Sequence, residues 1–149
     1  ATVGLVRARA AEREATRRLG TRLAVKAANW DQDVGELSGG NQQKVVIAKW
    51  LLTEPKVLIM NDPTRGIDVG AKVEIYKVME ELCKEGISII MVSSELPETM
   101  GITDRMIVFA DGKIVGEVER KDYDQNSLLH MAVGGESNGE RSSCSDDDE

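Results

Sequence analysis

The fold of this chain is decided by the stretch Leu37-Ser38-Gly39-Gly40-Asn41-Gln42-Gln43-Lys44, in which two glycines follow a serine and precede a helix-forming run. Serine favours the position just before a helix. The first helical turn leaves backbone N–H groups without partners and carries partial positive charge. Glycines there would let a ligand approach the backbone, so the stretch predicts a phosphate-binding helix terminus. Considered alone, an ordinary capped helix after a glycine turn explains it too, and only the downstream sequence favours phosphate binding.

Length and composition predict a single folded domain. The 149 residues are 41% hydrophobic, which is enough to build a core. Only 3% are aromatic, which argues against stacking platforms for nucleic-acid bases. The net charge is −7, but five of those charges fall in residues 136–149, which we predict to be part of a disordered acidic tail spanning 135–149.

The sequence contains neither a membrane-spanning run of about 18 apolar residues nor a signal-peptide pattern. Any membrane role is therefore expected to involve docking. The two cysteines, Cys83 and Cys144, lie far apart, which fits a reducing compartment without a disulfide framework.

Hydrophobic periodicity predicts an α/β fold with a mostly parallel sheet and flanking helices. The apolar runs 57–60 and 87–92 are typical of parallel strands that are buried on both faces. With the helix predicted over 70–85 they form a right-handed βαβ unit. The pair Asp111-Gly112 between two further apolar runs predicts a β-hairpin. Other helices are predicted over most of 1–28 and over 38–53, 97–101 and 125–133.

Polar residues follow both buried strands. Asn61 and Asp62 come after the first strand, and Ser93 and Ser94 come after the second. Ligands of parallel α/β sheets gather at these carboxyl ends, where a carboxylate can hold Mg²⁺ or orient water. An Asx turn before Pro63 explains the first pair equally well when it is considered alone.

In order and spacing, these elements resemble the ATP-binding cassette ATPases, over roughly residues 20–133. Leu37–Gly40 resembles the signature loop of that family, and Val57–Asp62 resembles its Walker B strand. Arg65–Asp68 lies at the D-loop position, and Val92–Ser94 lies at the switch-loop position.

A narrower resemblance is to the second cassette of bacterial importers of ribose, galactose, xylose or arabinose. It is carried by residues 41–50, 63–72 and 93–98. The resemblance implies a fragment of a P-loop NTPase-like cassette. Residues 1–56 would be part of the helical subdomain, and residues 57–134 would be part of the catalytic core with a C-terminal hairpin.

The resemblance implies a composite ATP site, because such cassettes pair head to tail around ATP. The signature loop then faces the γ-phosphate bound on the partner cassette. The nucleotide-binding residues would be Ser38, Gly39, Gly40, Gln42 and Asp68, with Asp68 also signalling across the interface. At the chain's own nucleotide, Asp62 and Ser94 would be catalytic, and Asn61 with Asp62 would hold Mg²⁺ weakly.

The sequence departs from the family pattern in several places. It lacks a Gly-x-x-x-x-Gly-Lys-Ser/Thr loop and the glutamine loop, so we expect it to be the C-terminal part of a larger protein. Asn61-Asp62 replaces the family's Asp-Glu pair. Asn61 is a neutral amide, and the carboxylate of Asp62 would fall about 1–1.5 Å short of the attacking water. A misplacement of this size can lower the reaction rate about 10²-fold. A register with Asp62 as the Mg²⁺ residue would put Pro63 at the carboxylate position and break the spacing to Asp68. Ser94 stands where most cassettes have a histidine.

The resemblance thus implies a C-terminal fragment of an ATP-binding and ATP-hydrolysing subunit of a monosaccharide importer, and the isolated fragment is expected to be inactive. ATP and Mg²⁺ are the implied cofactors. The implied partners are a second cassette, permease subunits and indirectly a sugar-binding protein, without nucleic acid, at the cytoplasmic face of the bacterial inner membrane. The alternative is a catalytically silent docking or regulatory half that binds no nucleotide by itself. A cassette acting in DNA repair or translation would need heptad repeats or a basic groove with aromatics, which the sequence lacks.

Overall fold

A computed structural model describes the backbone of residues 2–133 and the side chains of residues 9–133. The predicted acidic tail, 135–149, lies outside the described residues. The chain divides into two compact units, Ala1–Ser94 and Glu95–Glu149. The functional division at residues 56 and 134 expected from the sequence stays a prediction.

The first unit contains three helices and a parallel pair of strands. Helix α1 is followed by a short 3₁₀ turn, and helix α3 connects the two strands. In chain order the elements are α1 (Thr2–Arg22), the 3₁₀ turn (Val34–Glu36), α2 (Gly39–Leu51), β1 (Val57–Asn61), α3 (Val69–Lys84) and β2 (Ser88–Val92).

Helix α1 covers most of residues 1–28, as the sequence predicts. It ends at Arg22, and Ala24 adopts a left-handed backbone conformation with φ of 50°. Gly20 lies inside the helix, and the ring of Trp30 packs against it so closely that a β-carbon would not fit. Leu19 and Leu23 are buried at this end of the helix.

Strands β1 and β2 pair in parallel, with Val57 opposite Ser88 and Asn61 opposite Val92. Helix α3 connects them and contacts β2, which is the predicted βαβ unit. Its buried side chains are Ile75, Val78, Met79 and Leu82. Gly86, with φ of 91°, follows the end of the helix, where glycine accommodates a left-handed backbone.

The expectation that both faces of these strands are buried is wrong for the structure of this chain. Leu58 and Met60 are only 6% and 7% exposed, whereas Ile59 between them is 71% exposed. Ile90 and Val92 on β2 are also more than half exposed. A continuous apolar run does not say which face is covered, because successive side chains point to opposite faces. The open face is nevertheless apolar, as in sheets that are covered on both sides.

The second unit is a β-hairpin packed against a helix. Its elements are α4 (Leu96–Ile102), β3 (Arg105–Ala110), β4 (Lys113–Glu119), a 3₁₀ turn (Arg120–Asp122) and α5 (Gln125–Ala132). The predicted hairpin is present, and Asp111 and Gly112 both have positive φ, as a two-residue turn of type I′ requires. Met106, Val108 and Leu128 form the core of this unit.

Because β1 is buried on one face only, substitutions at neighbouring positions should lower the free energy of unfolding by different amounts. Leu58→Ala should lower the free energy of unfolding by about 2–5 kcal/mol because it opens a cavity. Ile59→Ala on the open face should change it by less than about 1 kcal/mol. Urea denaturation of the two variants tests this. Equal losses would contradict the assignment of the buried face.

Candidate functional site

Ser38 occupies the cap position of α2, with φ of −60° and ψ of 152°, but it does not act as a side-chain cap. Its hydroxyl forms no hydrogen bond with the backbone of the first turn. Instead the side-chain nitrogen of Asn41, Nδ2, donates to Ser38 Oγ at 2.8 Å. Ser38 and Gly39 are exposed while Gly40 is buried. The tip of α2 therefore presents a serine hydroxyl beside the first N–H groups of the helix, which have no intrahelical partners.

Packing within the chain leaves little room for a side chain at the two glycines of this tip. A β-carbon on Gly40 would lie 2.5 Å from Cβ of Ala71, the third residue of α3. A β-carbon on Gly39 would lie 3.1 Å from Cγ2 of Ile67 in the predicted D-loop. Gly40 thus allows α2 and α3 to approach closely. The explanation from the sequence, that glycine lets a ligand approach the backbone, stays a prediction for both Gly39 and Gly40.

Gln42 holds the loop that precedes the helix. Its Nε2 donates to the carbonyl oxygen of Leu37 at 2.8 Å and more weakly to that of Gly35 at 3.4 Å. These two contacts use the donors of the side-chain amide. Its assignment as a nucleotide-binding residue stays a prediction.

Asp68 is exposed and caps helix α3. Its Oδ1 accepts a hydrogen bond from the backbone N–H of Ala71 at 2.9 Å. Because Ala71 also lies against Gly40, the predicted D-loop and the predicted signature loop are neighbours in the structure. The role of Asp68 toward nucleotide stays a prediction.

A buried lysine links α2 to α3. Lys44 is only 3% exposed, and its Nζ donates to Glu74 Oε2 at 2.8 Å and to the carbonyl oxygen of Ala24 at 3.1 Å. Lys26 pairs with the other oxygen of Glu74 at 3.2 Å. The hydrogen bonds from Lys44 and then from Lys26 lower the pKa of Glu74. The carboxylate is therefore ionised at neutral pH and compensates the buried ammonium group.

Sequence reasoning did not identify this ion pair, although the sequence contained a signal for it. The buried residues of α2 are Gly40, Lys44, Ile47 and Leu51, which recur at helical spacing. A lysine in such a stripe needs an acidic partner on the facing helix. Nothing in the sequence alone selects Glu74 among the acids of α3.

A second group of predicted site residues lies at the carboxyl ends of the strands. Strand β1 ends at Asn61, and Asp62 follows with a left-handed φ of 44°. Asp62 Oδ1 accepts hydrogen bonds from the backbone N–H of Ser94 at 2.8 Å and from its hydroxyl at 3.1 Å. The structure therefore brings the two predicted catalytic residues into contact. Aspartate tolerates this backbone region better than most residues, and strained backbone is common at functional sites.

The residues predicted to hold Mg²⁺ offer few ligands. The described residues contain no group of three His, Cys, Asp or Glu side chains that could hold a metal ion. Ser94 engages Oδ1 of Asp62, so Oδ2 of Asp62 and the amide oxygen of Asn61 are the candidate ligands. Mg²⁺ commonly takes one or two protein ligands and completes its shell with water and phosphate. The pair fits an ion that arrives with a nucleotide.

Helices of the described chain are either too short or too polar to span a bilayer.

Comparison with known proteins agrees with this geometry. Residues 7–65 match the family model of ABC transporters. A nucleotide-free ATP-binding cassette from an ABC transporter superimposes with a TM-score of 0.71 at 25% identity, over 81% of this chain and 49% of that one. A dimeric cassette with bound ADP and Pi shares the fold, with a TM-score of 0.63 at 21% identity, over 74% and 47% of the two chains. The predicted cassette fold is therefore confirmed, and the chain resembles the ATP-binding cassette family in both sequence and fold.

In sequence the chain is similar to sugar-import ATP-binding proteins. It is 55% identical over 114 residues to the ribose import ATP-binding protein RbsA of Streptococcus agalactiae, covering 76% of this chain and 23% of the relative. It is 53% identical over 114 residues to the xylose import ATP-binding protein XylG of Geobacillus kaustophilus, with the same two coverages. The chain thus spans 23% of the length of these two relatives.

The close approach of Gly40 to Ala71 predicts that a second substitution can restore the stability lost in the first. Gly40→Ala should lower the free energy of unfolding by about 1–3 kcal/mol because the new methyl group meets Ala71. The double variant with Ala71→Gly should recover much of that loss. Denaturant titration of the single and double variants measures the coupling. Additive losses without rescue would contradict the assigned packing.

Proposed function

We propose that this chain contributes the signature loop of a composite ATP site in a monosaccharide-importing ATPase of the ABC family. The observation that carries the proposal is the exposed tip of α2, where the hydroxyl of Ser38 makes no cap bond with its own helix. The resemblance to ribose and xylose import proteins supports the sugar-import assignment.

In the proposed site, Ser38 and the first N–H groups of α2 donate hydrogen bonds to the γ-phosphate of ATP bound on a partner cassette. A helix terminus supplies partial positive charge and donors, which stabilise negative charge on the phosphate without accepting a proton. Asp68, next to this tip, would report occupancy of the site to the partner.

At the chain's own nucleotide, Asn61 and Asp62 would hold Mg²⁺, which shields phosphate charge when bound. Asp62 would orient the attacking water, and Ser94 holds its carboxylate through Oδ1. Oδ2 of Asp62 would then have to serve both the Mg²⁺ ion and the water. The shortened carboxylate and the neutral Asn61 make this second site the weaker one in our proposal.

The remaining assignments follow from the same proposal. The complete protein would use ATP and Mg²⁺, pair with a second cassette and dock on permease subunits at the cytoplasmic face of the bacterial inner membrane. A sugar-binding protein would act indirectly through the permease. No role with nucleic acid is proposed.

The competing function is a catalytically silent docking half that binds no nucleotide by itself. The sequence favours it in one respect, because Asn61 and the shorter Asp62 stand where the family has an Asp-Glu pair. The two functions differ in what the tip of α2 does in the complete protein.

Ser38→Arg in the complete protein should abolish ATP-driven sugar uptake, because the bulky side chain would block the approach of the triphosphate to the tip. The control is Gln125→Arg, which adds the same side chain to the first turn of α5 and should leave uptake unchanged. Transport of labelled sugar into vesicles measures both. Normal uptake by an assembled Ser38→Arg protein would support the docking function instead.

The double variant Asn61→Asp with Asp62→Glu should raise ATP turnover of the complete protein, by up to about 10²-fold if this site limits the rate. The change restores a charged Mg²⁺ ligand and lengthens the carboxylate that orients water. Phosphate release at saturating ATP and Mg²⁺ measures the effect. Unchanged turnover would mean that the two substitutions do not limit hydrolysis.

A further inference from the structure

We infer that Asn41 is a positioning residue that makes the hydroxyl of Ser38 a hydrogen-bond donor toward the triphosphate. The inference rests on the proposed function, in which Ser38 contacts the γ-phosphate. It adds a residue whose own side chain touches no nucleotide and acts only through Ser38.

The orientation of the Asn41 amide is set by a segment outside its helix. The backbone N–H of Lys26 donates to Asn41 Oδ1 at 2.8 Å. A backbone N–H can only donate, so the oxygen end of the amide must face Lys26. The nitrogen end then faces Ser38, where Nδ2 lies 2.8 Å from Oγ.

The direction of the second bond follows from the first. The NH₂ group of an amide can only donate, so Ser38 Oγ is the acceptor in this pair. The hydroxyl proton of Ser38 must then point elsewhere. Because Ser38 is exposed and forms no side-chain cap bond, that proton is available to an anion at the tip of α2.

The segment that orients Asn41 is itself anchored by the buried ion pair. Lys44 Nζ holds the carbonyl oxygen of Ala24, whose backbone is left-handed, and Glu74 joins Lys44 to the side chain of Lys26. Helix α2, through Lys44, and helix α3, through Glu74, therefore both contribute to the placement of the Lys26 N–H.

A merely structural role for Asn41 makes a different prediction. At the third position of a helix, a side chain that reaches back to the cap position can stabilise the first turn. Loss of that stabilisation would lower the melting temperature and weaken the binding of every nucleotide alike. A positioning role acts through Ser38, so it affects ATP, which has a γ-phosphate, more than ADP.

The experiment measures ATP and ADP affinities of the complete protein with its partner cassette, for Asn41→Asp, Asn41→Ala and Ser38→Ala. In Asn41→Asp both side-chain oxygens accept, so the Ser38 proton turns toward the new carboxylate. We expect ATP affinity to fall about tenfold or more, the size of a lost hydrogen bond to a charged group, with ADP affinity within about twofold. Asn41→Ala adds no charge and should lower ATP affinity about threefold, again without affecting ADP.

The three variants distinguish a failure of the inference about Asn41 from a failure of the proposed function on which it rests. Unchanged ATP affinity in Ser38→Ala would refute the proposed contact with phosphate. A loss in Ser38→Ala together with unchanged ATP affinity in Asn41→Ala would refute the positioning role alone. Equal losses for ATP and ADP in Asn41→Ala would assign Asn41 a structural role. If Asn41→Asp does not fold, the comparison of Asn41→Ala with Ser38→Ala still decides.

Discussion

The structure depends on the close approach of α2 to α3 where Gly40 meets Ala71. No side chain larger than hydrogen fits at residue 40 without displacing its neighbour. This contact places the start of α2 beside the start of α3, and so the predicted signature loop lies beside the predicted D-loop. Four residues further along α2, Lys44 lies in the same buried stripe and pairs with Glu74 of α3.

Much of the fold follows from local signals in the sequence. Between residues 57 and 92, two continuous apolar runs flank a stretch with helical periodicity. The Asp111-Gly112 turn needs the positive φ that these residues tolerate. The exposed face of the sheet could not be predicted in this way. An apolar run looks the same whether a second layer covers it or not.

The candidate site was predictable in residue type but not in contacts. Serine and glycine at a helix start suggest a phosphate site, yet serine there ordinarily caps its own helix. Ser38 instead accepts a hydrogen bond from Asn41. This arrangement depends on Lys26, which lies 15 residues before Asn41 in the chain. The contact of Ser94 with Asp62 likewise joins residues 32 apart. Such pairings arise from tertiary packing, which no local pattern encodes.

The open face of the sheet and the tip of α2 are both exposed in this chain. The chain spans 23% of the length of the sugar-import relatives described above. The most direct measurement is a structure of the complete protein with Mg²⁺ and a non-hydrolysable ATP analogue. The account predicts Ser38 Oγ within about 3 Å of a γ-phosphate oxygen held on the partner cassette. A γ-phosphate bound far from Ser38, or a tip of α2 covered by the protein itself, would contradict it.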